Sequence, residues 1–278
     1  MTPSELLSEC FANVAAGRMV PYIGPEVAAL PPATVPATPG ALCALIEAEV
    51  RAPRRAAGNL WSVAQFVESR KFRATLNDIV TRAFAAGVTG NPVHAWLAAM
   101  RPPMIVDAWY DDGLIGAMGA GTVGGNWGWV QGVSRNGEWI EIWTRAYQPD
   151  GTERPEGADP AWETLVYKPH GLARKGSSFL MSDSDYVEVL TEIDIQSPIP
   201  AEVQRRRTGR GFLFLGCRFD DQMLRLFARQ IAKRSGGGHV AVIEGPLTRM
   251  EQRFLEQVGI TRIDMPLAEA AALMAEPV

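Results

Sequence analysis

The sequence predicts an α/β protein: one predominantly parallel sheet with helices on both faces and a β-hairpin insertion. Three observations carry this. Five compact apolar runs of strand length, "RMVPYIG", "MIVDAW", "TLVYKPHG", "FLFLG" and "HVAVIEG", are separated by segments of helix length and helical period. Strands that alternate with helices lie side by side in parallel. The runs are also apolar throughout, as strands covered on both faces must be. Finally, the stretch 114–160 breaks the rhythm, with a Gly-rich start and an alternating segment around Asn136-Gly137, a pair that favours hairpin turns.

Taken in chain order, Ser4 caps a first helical pattern over 4–17, and the run "RMVPYIG" follows as a strand. Residues 31–39, "PPATVPATP", carry too many prolines for a helix or a central strand and read as an extended loop lying across the fold. Helical periodicity returns at 40–52, 59–85 and 94–100. The second run, "MIVDAW", opens after two prolines and ends in Asp107, Trp109, Tyr110, Asp111 and Asp112. The segment 114–160 is read as a hairpin-bearing insertion within a single domain, 1–278, with "QPDGTERPEGADP" as its exposed loop. Beyond it come "TLVYKPHG", helices at 185–193 and 200–207, "FLFLG", an amphipathic helix at 221–234 capped by Asp221, "HVAVIEG", and helices at 247–258 and 267–275.

Composition narrows the function. With 27 basic and 31 acidic residues the net charge is −4. The densest cationic run, Arg205-Arg206-Arg207, sits at a helix end, so nucleic-acid binding is not expected. No apolar stretch approaches a membrane span, and the N-terminus lacks the pattern of a signal peptide. Three scattered cysteines give neither a disulfide framework nor a four-cysteine zinc site. The chain reads as cytoplasmic and reduced, with no metal.

The informative residues follow the apolar runs. Gly24 and Glu26 follow the first, Asp107 to Asp112 close the second, His170-Gly171 the third, and Gly216-Cys217 the fourth. In an open parallel sheet, ligands bind outside the carboxyl ends of the strands, so these residues are expected to share one crevice. His170 offers a general base of suitable ordinary pKa. His94 and His239 read as structural, and Asp221 as a helix cap. Trp127, Trp129, Trp139 and Trp143 cluster in the hairpin segment, either as a small core or as a surface for a protein partner.

The blocks "VPYIG", "NLWSVAQFVESR", "HAWLAAMRPPMIVDAWYDD", "VYKPHG", "SDSDYVEVL" and "GFLFLGCRFDDQMLRLF", in that order, resemble a bacterial sirtuin-like (silent information regulator two-like) domain of the branch without the zinc ribbon. The resemblance spans about residues 18 to 265. It implies a Rossmann-like fold that binds NAD, in a family whose members remove acyl groups from lysine or hydrolyse NAD. It makes His170, with Gly171, and Asp111 the catalytic candidates. Gly24, Glu26, Asp107, Trp109, Gly171, Gly216 and Cys217 become the cofactor-binding candidates. Two departures stand out. The first family loop, Gly-Ala-Gly-x-Ser, keeps only Gly24 and has Pro25 and Glu26 where small residues let backbone approach a pyrophosphate. The family's asparagine is replaced by Trp109.

These departures favour binding of NAD or another adenine nucleotide with weak or lost hydrolysis, a sensor or scaffold. Two alternatives remain: an active NAD glycohydrolase or deacylase, and a protein-interaction module with a closed crevice and the Trp-rich hairpin as its surface.

Overall fold

The computed structural model of the chain describes residues 2–30, 33–120, 125–136, 140–192 and 198–275. The first half contains α1 (Pro3–Ala15), β1 (Met19–Ile23), α2 (Pro39–Glu49), α3 (Leu60–Ala83), α4 (Pro92–Met100), β2 (Met104–Asp107) and α5 (Gly113–Ala120). Next come β3 (Trp127–Gly132), β4 (Thr144–Tyr147), β5 (Glu153–Arg154), β6 (Thr164–Lys168), α6 (Asp183–Glu192) and α7 (Ala201–Arg207). The chain closes with β7 (Gly211–Leu215), α8 (Gln222–Ala232), β8 (His239–Val242), α9 (Arg249–Val258), β9 (Ile260–Ile263) and α10 (Leu267–Leu273).

All nine strands form one sheet in the order β5-β4-β3-β6-β2-β1-β7-β8-β9. Every pairing from β3 to β9 is parallel; β3 with β4 and β4 with β5 are antiparallel. The five strands expected from the apolar runs are the central ones, and the fold is the Rossmann-like α/β arrangement. Their side chains alternate between two cores, as the pleat requires. In β1, Val20 and Tyr22 join the core beneath α2, α3 and α8, while Met19 and Ile23 join the one beneath α1, α4 and α10. The chain builds outward from β1 in one direction through β2 and β6, then reverses through β7, β8 and β9. The switch point lies between β1 and β7.

The stretch 114–160 divides in two. Most of α5 belongs to the helical layer and all of β3 continues the parallel sheet, and only β4 and β5 are antiparallel additions at its edge. The hairpin forms, as β3 and β4; the turn expected at Asn136-Gly137 falls partly outside the described residues. Gly132 pairs with Thr144 and the Val133 amide donates to the Trp143 carbonyl, which leaves a wide connection. Arg135 donates to the Ile140 carbonyl, reaches Glu188 on α6 and stacks 4.2 Å over the Trp143 ring, while Asn136 donates to Glu68 on α3. These contacts draw the loop toward the helices. Gly137, Glu138 and Trp139 lie outside the described residues. Trp127 and Trp129 are stacked core residues.

Helix α3 is continuous except at Phe72, whose φ of 71° and ψ of 152° break the helical geometry. The side chain of Phe72 is 80% exposed.

Candidate active site

The switch point is formed by the turns after β1 and β7, and these turns interlock. The Gly24 amide donates to the Leu215 carbonyl and the Glu26 amide to the Gly216 carbonyl. A Cβ on Gly24 would stand 2.5 Å from the Gly216 oxygen and 2.6 Å from the Cys217 sulfur. Gly216 has φ of 63°, and a Cβ there would meet the Val27 nitrogen at 2.6 Å. Both glycines are therefore required by close backbone approach, but the backbone that approaches is the protein's own. Cys217 is buried against Tyr22 and Leu215, and burial, followed by the Glu26 charge, pushes its thiol well up. It is an inert neutral thiol.

In front of these turns opens a cleft of about 460 Å³. Its walls are Pro25 and Glu26, the start of α2 at Thr38, the start of α3 at Asn59, and Arg218, Asp220 and Asp221 leading into α8. Three helices thus begin at the cleft. Each is capped by the residue just before it: Thr38 accepts from Ala41 N, Asn59 from Ser62 N, and Asp221 from Leu224 N. The second oxygen of Asp221 accepts from Trp61 Nε1 at 2.8 Å, which ties α3 to α8. Burial raises the Glu26 carboxyl, opposed by the Arg218 charge. Arg218 is held by Glu251 through two bonds of 2.8 and 2.9 Å and donates to the Glu244 and Pro246 carbonyls.

The other candidate residues lie under the surface, at the ends of β2 and β6. Register places Val106 beside Tyr167, so the next pair along is Asp107 and Lys168. Their side chains are 2% and 0% exposed, and Lys168 Nζ stands 2.5 Å from Asp107 Oδ2. Burial pushes the Asp107 carboxyl up to about 6, with the neighbouring ammonium pulling the other way. Trp109 is a core residue whose Nε1 donates to the Pro36 carbonyl at 2.8 Å, so the proline-rich loop does lie across the strand end. Asp111 is buried and accepts from the Gly113 amide at the start of α5.

His170 has no exposed surface. Its Nδ1 lies 3.0 Å from the Tyr186 hydroxyl, which is 3.0 Å from the Tyr110 hydroxyl, and its ring packs 4.7 Å from Phe227. Its Nε2 is buried without a partner. Burial, reinforced by Lys168, pushes its pKa down to about 3, so it is neutral at physiological pH. Gly171, at φ of 89°, packs against Phe179.

All the candidate residues therefore stand at one edge of the sheet, in two layers. Glu26 lines the cleft; Asp107, Trp109, Asp111, His170 and Cys217 are buried. Sequence reasoning missed Lys168, Thr38, Asn59 and the clamp of Arg218 on Glu251. For Lys168 there was a signal: an acid and a base at the ends of two neighbouring apolar runs. Among the described residues there is no group of three or more His, Cys, Asp or Glu side chains able to hold a metal, and no helix long and apolar enough to cross a membrane.

No curated protein matches the chain. A family model for the SIR2-like domain matches residues 103–263, from the start of β2 through β9. More than half of the sequence is covered, including the ends of β2, β6 and β7 where the candidate residues gather, and this chain belongs to the SIR2-like family.

Proposed function

We infer that this protein binds NAD or a related adenine nucleotide in the cleft at the β1/β7 switch point and hydrolyses it weakly or not at all. The single observation behind the second half is the enclosure of His170. A general base must come within hydrogen-bond reach of the hydroxyl it serves, and here Tyr186 occupies Nδ1 and the ring has no exposed surface.

The cleft suits part of such a ligand better than the whole. Three helix starts line it, and the positive end of a helix favours an anion, so a phosphate group is expected near Gly40 and Leu60. Asp220 and Asn59 supply acceptors for ribose hydroxyls. Glu26 opposes a second anionic group beside the β1 turn, and the close contact of Gly24 with Gly216 leaves no cradle for a pyrophosphate between them. NAD would supply a glycosidic bond to nicotinamide, and His170, the base that the resemblance implies, is buried outside the walls of this cleft.

The test is calorimetric titration with NAD, ADP-ribose and AMP alongside a nicotinamide-release assay. Binding without release above the buffer blank supports the reading. Glu26→Gln should tighten NAD binding by on the order of tenfold, since a like-charge contact costs about 1–4 kcal/mol. Release at ordinary enzyme rates would make the protein an NAD glycohydrolase, and absence of heat with all three ligands would leave the interaction module, which the interlocked glycines also favour.

A further inference from the structure

Helices α8 and α9 run side by side on the outer face of β7 and β8, and the groove between them is left open. It consists of two adjoining depressions of about 380 and 480 Å³ that share Arg229 and Gln257. The side chains around it are cationic: Arg225, Arg229 and Lys233 from the α8 side and Arg253 from α9, with no carboxylate in the lining. That is a local excess of positive charge in a chain whose net charge is −4.

The arginines are not spent on ion pairs. Arg225 donates to the Phe219 and Asp220 carbonyls, and Arg229 donates to Gln257 and lies over the Phe254 ring. No ion pair holds Arg225, Arg229, Arg249 or Arg253 among the described residues. Spacing orders these charges. Arg225 and Arg229 are four residues apart on α8, so they form a row along one helix face, and Arg253 of α9 lines the groove with them. The groove also carries apolar surface: Phe254 is buried at its floor, Leu226 is partly covered, and Met250 is 50% exposed.

We propose that this groove docks an acidic amphipathic helix of a partner protein. Such a helix lays its apolar stripe on Leu226, Met250 and Phe254 and sets carboxylates, spaced by three or four residues, against Arg225 and Arg229 on one side and Arg253 on the other. A nucleic-acid backbone would satisfy the charges but has no apolar face for Met250 and Leu226 to cover. The site lies outside the nucleotide cleft and does not depend on what occupies that cleft.

The probe is a fluorescein-labelled synthetic peptide of about 16 residues, roughly 24 Å of helix, with leucines at i, i+3, i+4 and i+7 and glutamates flanking them. A scrambled peptide of the same composition and a labelled DNA duplex are measured beside it by fluorescence anisotropy. The patterned peptide is expected to bind, with affinity falling as salt rises, and the scrambled one to bind on the order of tenfold more weakly or not at all. Arg253→Glu should weaken binding by on the order of tenfold and Met250→Ser by severalfold. Both variants should keep the wild-type melting temperature, since neither residue is buried. Equal binding of the scrambled peptide, tighter binding of the duplex, no binding of the patterned peptide, or indifference to Arg253→Glu in a folded variant would each overturn the proposal.

Discussion

Replacing Lys168 with methionine keeps the bulk of the side chain and removes the cation paired with Asp107. Both partners are enclosed, at 0% and 2% exposure, and the Nζ–Oδ2 distance is 2.5 Å. In Lys168→Met the other oxygen of Asp107 still accepts from the Trp109 amide, at 3.3 Å. Breaking a buried pair by removing one member costs about 3–5 kcal/mol, a large share of the roughly 5–15 kcal/mol that holds a domain folded. The cost should depend on pH. Asp107 already sits at about 6 because of burial, and without the ammonium it rises further. A carboxyl whose folded pKa is raised contributes stability at low pH and loses it as pH rises through the folded value. The variant should therefore lose more stability, relative to wild type, at pH 8 than at pH 5. Urea unfolding of wild type, Lys168→Met, Asp107→Asn and the double variant at both pH values measures this. Each single variant is expected to be strongly destabilised, and the double variant to recover much of the loss, giving a coupling of several kcal/mol. A single-variant cost below about 1 kcal/mol at pH 8, or no coupling, would refute the account of Asp107 and Lys168 as a buried ion pair.

Wild-type stability should fall between pH 6.5 and pH 4. Burial lowers the folded pKa of His94 to about 4 and of His170 to about 3, so both take up protons on unfolding below about 6.5; Asp107 works the other way below about 6, so these three groups together contribute a loss of about 1.4 kcal/mol per pH unit, and a melting temperature that rises on acidification would contradict it. Phe72→Gly should stabilise the protein by about 1–3 kcal/mol, because a φ of 71° with ψ of 152° is a conformation that only glycine adopts freely and the exposed ring gives up little burial; a lower urea midpoint for the variant would show that the ring is held by contacts.

The central strands were legible because burial on both faces leaves unbroken apolar runs. Strand β9 was not: Thr261 and Arg262 lie between its buried ends, Ile260 and Ile263, and an edge strand so short carries no periodicity. At the site, the glycines at 24 and 216 were visible as positions that need closeness, but sequence could not say what comes close. A ligand and a neighbouring turn make the same demand on a glycine. The two-layer arrangement was equally hidden. Whether an aspartate after an apolar run faces solvent or a lysine depends on register between β2 and β6, which no local pattern encodes.

The hydrogen bond from Trp61 to Asp221 has a consequence for how the cleft selects what enters it. One carboxylate caps α8 with one oxygen and grips an indole anchored in α3 with the other, so opposite walls cannot separate without breaking that bond to a buried ring. The aperture is set before any guest arrives. A molecule of the right width loses little in ordering the host, whereas one slightly too wide meets a wall that will not yield, so discrimination here operates through size more than through adaptation.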